Sequence, residues 1–225
     1  MQKLTRYLDF LDCVDELGFL PMTDILPGFP SLRSGSPSEI WYTGDPETDP
    51  WQWKDRAAHE KKLAFGCLLG GHKGFISPGM YRVFYAACYP RETLEDRWTA
   101  GRLNQTTWRL WRLFASKELL STDEIRRGMG VSRSHGASPV DSAVVELQRT
   151  FFITVAGNRR KVNQAGMPYG WPAMLYARVS AWAPPDWLAN WSALHADDAA
   201  EQILDAAEAI APGVDREALR KILKM

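Results

Sequence analysis

Cysteine is scarce: the three thiols at Cys13, Cys67 and Cys88 are odd in number and follow no framework spacing. No disulfide scaffold is implied, and the usage suits a reducing compartment, so a cytoplasmic protein is expected. Long apolar runs are missing too. Nothing reaches the about 18 residues of a membrane span, and Asp9, Asp12 and Asp15 break any signal-like stretch that Lys3 and Arg6 could introduce. No membrane partner is expected. The chain has no phosphate loop of the Gly-x-x-x-x-Gly-Lys-Ser/Thr form, no Gly-x-Ser-x-Gly elbow and no His-Glu-x-x-His pair. No nucleotide cofactor is therefore expected. His59, Cys67 and His72 lie near one another in sequence but lack a second close ligand pair, so neither a metal nor any other cofactor is expected.

Net charge is also absent, because 27 basic residues balance 27 acidic ones. The balance hides a sorting along the chain. From Asp9 to Asp55 ten acids face two bases, whereas from Arg97 to Lys161 twelve bases face five acids; six acids and no base follow between Asp186 and Glu208. A polyanion, if one binds, meets the middle of the chain; otherwise the charges decorate solvated faces. Hydrophobic residues make up 45% and charged residues 24%, the composition of an ordinary globular protein. Ten tryptophans stand out. Each supplies a large apolar area with one donor, which suits a core, an interface or a base-stacking platform.

Local patterns divide the chain into three segments and predict an α+β fold. In residues 1–92, Leu4, Leu8, Leu11, Val14 and Leu17 recur at helical spacing before a capping glycine, Gly18. The proline-rich stretch 20–50 reads as mostly irregular chain with one short helical candidate at Ser38–Tyr42. Two short strands, 63–69 and 75–77, flank a glycine turn at 70–74, and Pro78 opens a helix ending before Pro90. This mixed helix and β-hairpin subdomain is expected to pack on the segment 93–183. There a helix over 97–116 precedes a short one opened by the capping box Ser121-Thr122-Asp123-Glu124, and a third starts at Ser138-Pro139 with Val140, Val144 and Leu147 inward. Strands at 151–156 and 174–182 then enclose a basic, glycine-rich insertion. Helices in 197–210 and 215–223 complete a C-terminal extension, 184–225.

Three helices followed by a hairpin with a basic tip are the order of a winged helix-turn-helix unit. DNA is then the expected partner. The residues expected to touch it are Arg133, Ser134 and Ser138 at the start of the third helix and Arg159, Arg160 and Lys161 in the wing. The competing reading keeps the same fold as a regulator or protein-interaction scaffold with a solvated basic turn.

A resemblance joins these features. Pro50-Trp51-Gln52-Trp53-Lys54, the hairpin from Phe65-Gly66 to Gly74-Phe75-Ile76-Ser77, and Tyr169-Gly170-Trp171 resemble the bacterial AlkZ-related proteins, named after winged-helix DNA glycosylases of the AlkZ and YcaQ type. The resemblance implies DNA repair by excision of bulky or crosslinked alkylated bases. Those glycosylases activate water with a Gln-x-Gln, Gln-x-Asp or Gln-x-His element, whereas here Trp53 and Lys54 follow Gln52. Around it, Trp51 and Trp53 are candidates to stack a flipped base, and Asp55, His59 and Glu60 are candidate catalytic groups that could orient water. In the alternative, both tryptophans cover the sheet and Lys54 pairs with a local acid.

Overall fold

The computed structural model describes residues 3–131, 139–163 and 165–225, without the side chains at 161, 162 and 168. Helix α1 (Tyr7–Leu17) ends where Gly18 adopts φ 84° and donates its N–H to the Val14 carbonyl. Its buried face is Tyr7, Phe10 and Val14, while Leu8 is 62% exposed. The expected leucine stripe is thus rotated, since the aromatic rings bury more area than Leu8 could.

Strand β1 (Phe19–Pro21) lies in the proline-rich stretch, followed by α2 (Leu32–Gly35) and a 3₁₀ turn (Ser38–Ile40). Helix α3 (Pro50–His59) starts with proline at its first turn, and Asp49 accepts from the Trp51 N–H. Strands β2 (Ala64–Leu69) and β3 (His72–Ile76) meet at Gly70-Gly71, both with positive φ. Two residues suffice for that turn, so β3 begins three residues earlier than the pattern suggested. The first sheet has the antiparallel order β1-β3-β2. Helix α4 (Pro78–Cys88) follows, capped by Ser77.

The helix expected over 97–116 is two helices, α5 (Leu94–Thr99) and α6 (Gln105–Leu113). Gly101, at φ 69°, ends the first, and the Asn104 side chain accepts from the Thr107 N–H at 2.9 Å to start the second. Strand β4 (Leu119–Ser121) leads into α7 (Thr122–Gly128), whose Ser121–Glu124 capping box forms as expected. After α8 (Pro139–Arg149) come β5 (Ile153–Val162) and β6 (Pro168–Arg178), and the second sheet is β4-β6-β5. The anticipated insertion is therefore the body of one long hairpin. The stretch 179–182, expected as strand, is helix α9 (Val179–Trp182). Helices α10 (Ala196–Ile210) and α11 (Arg216–Leu223) close the chain.

Two apolar cores tie the three segments together. In one, Phe10, Trp53 and Phe65 pack with Leu110, Phe114, Leu147 and Ile153. In the other, Phe19, Leu68 and Phe84 join Phe151 to Ile203, Leu204 and Leu219 of the terminal helices. Burial of this kind, at about 25 cal/mol per Å² of apolar surface, is what fixes α3 against the root of the β5–β6 hairpin.

Candidate functional site

Helix α3 presents Gln52, Asp55 and His59 on one side, because residues three and four apart share a helix face. They line a cavity of about 310 Å³ together with Pro46, Arg56 and Asn158, the last supplied by β5. Lys54, only 4% exposed, donates from Nζ to Asp55 Oδ2 at 2.6 Å. Asn158 Nδ2 donates to the same oxygen at 2.7 Å. The other oxygen, Asp55 Oδ1, is buried with no hydrogen-bond partner among the described residues. An unpaired buried acceptor is costly, so it calls for a donor that the described residues do not supply.

The ammonium of Lys54 also sits 4.4 Å from the centroid of the Trp51 ring. Burial pulls the lysine pKa below its usual value, against the attraction of Asp55. This is the arrangement in which Lys54 pairs with a local acid. Trp51 keeps some exposed surface beside Tyr42, at 5.2 Å between ring centroids. Trp53 does not offer a base-stacking surface: it is fully buried and stacks on Phe10 at 5.4 Å. Glu60 is likewise engaged elsewhere, accepting from Tyr7 Oη at 2.9 Å and from Arg56 Nε at 2.8 Å. Although partial burial opposes charge, those bonds hold its carboxyl below the usual range. His59 is exposed and packs against Gly157, where a Cβ would lie 3.1 Å from the histidine Cβ.

Of the basic residues expected on DNA, Arg159 donates to Glu124 Oε2 at 3.1 Å and Arg160 is exposed. The side chain of Lys161, and Arg133, Ser134 and Ser138 altogether, lie outside what is described.

A second cavity, of about 610 Å³, was not legible as a site. Phe65, Val155 and Tyr176 contribute to its walls, Lys73 and Gln148 are among its polar members, and Tyr169 and Trp171 reach it from β6. Gln148, 2% exposed on α8, accepts the Cys67 N–H at 3.0 Å, which ties that helix to β2. The two-residue period linking Tyr169 to Trp171 was the available signal, since alternate residues of a strand share a face. Among the described residues no three His, Cys, Asp or Glu side chains gather as a metal site, and no helix is long and apolar enough to cross a membrane.

No curated protein and no solved structure matches the chain. The sequence pattern of AlkZ-related proteins does, over residues 4–224, and with nearly the whole length covered the chain belongs to the AlkZ-related family.

Proposed function

We propose that the protein binds DNA through a winged helix-turn-helix unit formed by α6, β4, α7, α8 and the β5–β6 hairpin, and that it excises damaged bases at the α3 cavity. The order helix, strand, two helices and hairpin, with β4 paired to β6, supports the winged-helix part. Membership in the AlkZ-related family supports a repair role. The observation that carries the excision reading is Asp55 Oδ1, a buried carboxylate oxygen without a partner at a cavity beside the root of the wing.

A base leaves DNA when a water oxygen bonds to the sugar C1′ as the C1′–N bond breaks, its electron pair leaving with the base. Asp55 Oδ1 would accept a proton from that water, and the negative carboxylate would stabilise the positive charge that develops on the sugar. Lys54 and Asn158 hold the carboxyl by its other oxygen, which fixes the orientation of Oδ1.

The test is release of free base from alkylated duplex DNA by purified protein. Asp55→Asn is expected to lower that rate at least about 100-fold, the scale of losing one positioned catalytic group, while leaving gel-shift affinity unchanged. A wild type that shifts DNA but releases nothing from monoalkylated or crosslinked substrates overturns excision and leaves a binding module, a regulator or scaffold.

A further inference from the structure

The larger cavity shares no lining residue with the α3 cavity, and two features at its mouth stand out. Trp171 is 83% exposed and Tyr169 53% exposed, although both are large rings on a strand that buries Leu175, Tyr176 and Ala177 further along. Rings left in water on a wing are poor for stability and good for stacking. The second feature is charge. Lys73, on β3 and exposed, and Asp123, on α7, are the charged residues that line the cavity. Arg160 is exposed on the neighbouring strand β5.

The interior is selective in a different way. Phe65, Val155 and Met174 make part of its wall apolar. Gln148 has both ends engaged, its Oε1 by the Cys67 N–H and its Nε2 by the Val144 carbonyl at 3.2 Å. A Cβ on Gly66 would lie 2.6 Å from Gln148 Oε1, so that glycine lets the β2 backbone approach α8 and sets this wall. A volume of about 610 Å³ falls within the usual range for a small-ligand site. The ligand chemistry that matches is a planar aromatic ring for the Tyr169 and Trp171 faces, joined to an anion for Lys73.

We propose that this cavity is a nucleotide site, in which Trp171 and Tyr169 stack a nucleobase and Lys73 takes its phosphate. Free nucleotides and unpaired bases of single-stranded DNA share that chemistry. The site goes beyond the excision reading and does not depend on it, because its test reads affinity rather than base release.

Calorimetric titration of the full chain with dAMP, with deoxyadenosine and with a short single-stranded oligonucleotide separates the sources. Binding of dAMP assigns free nucleotide; binding of the oligonucleotide alone assigns DNA. For whichever ligand binds, Trp171→Ala is expected to weaken affinity about tenfold or more, the scale of one lost base-stacking contact, and Trp171→Phe to restore most of it. Trp171 is largely in solvent, so the alanine variant keeps the fold, which an unchanged Tm verifies. Lys73→Ala is expected to weaken dAMP or oligonucleotide binding while leaving any deoxyadenosine binding as it was. No binding of any of the three ligands, or binding indifferent to Trp171→Ala, overturns the proposal.

Discussion

Trp51 and Trp53 stand two residues apart and meet opposite fates. Trp53 lies in the core on Phe10, whereas Trp51 shares its ring with the Lys54 ammonium near the surface. Truncating the first removes a fully buried indole and leaves a cavity. Trp53→Ala is therefore expected to cost about 3–5 kcal/mol, read as a lowered midpoint in chemical denaturation. Trp51→Ala loses less area and one cation–π contact, so a drop as large as that of Trp53→Ala would contradict these burials. What the sequence could show here was limited by distance along the chain. Asp55 and His59 fall four apart, but the sequence pattern assigns no helix to 50–59, so the face they share was not legible. Asn158, which fixes the Asp55 carboxyl from 103 residues away, was hidden too. Nor could spacing reveal that Phe10 would take the face of Trp53, because that contact depends on how α1 docks.

Helix boundaries were most legible where one side chain settles them. Gly18, Pro78 and the Ser121–Glu124 box each act within four residues, and each lies where the pattern put it. Strand β1 and the middle of the β5–β6 hairpin, read as an insertion between two shorter strands, were hidden for the opposite reason. Their hydrogen bonds go to other strands, and prolines and glycines inside them resemble loop. The capping box also yields a pH dependence. Hydrogen bonding from the Ser121 N–H, with that from its hydroxyl, holds the Glu124 carboxyl at about 2, against 4.5 for an unperturbed group. A carboxyl lowered on folding stabilises the native state above the unfolded value and loses that contribution as pH falls through the folded one. Comparing Tm for wild type and Glu124→Gln should show the largest gap above pH 4.5, closing as pH approaches about 2. A gap constant with pH would mean that the charge contributes nothing. At neutral pH, Ser121→Ala should remove about 1 kcal/mol, and an unmoved Tm would place the start of α7 elsewhere.

At the scale of the molecule, a chain of zero net charge can attract DNA only by where its charges lie. The terminal acids are partly answered from within, since Arg216 pairs with Glu201, Asp205 and Glu208. Arg159 and Arg160 of the β5–β6 hairpin are less committed. Arg160 is exposed, and among the described residues Arg159 pairs with Glu124 alone, which is itself shared with Lys117. Exposed pairs of this kind are weak, so a phosphate can displace them. Each phosphate contact on duplex DNA releases about 0.9 of a counterion, which makes the slope of log affinity against log salt a count of contacts. Replacing Arg159, Arg160 and Lys161 together with alanine is expected to reduce that slope by roughly 2 to 3. The lower end is favoured, because Arg159 must first give up Glu124. Glu124→Gln supplies the complementary measurement: with its acidic partner gone, Arg159 is freer to meet a phosphate, and affinity at low salt should rise. An unchanged slope in the triple variant would take the hairpin out of the DNA interface and leave the charge sorting as a property of solvated faces.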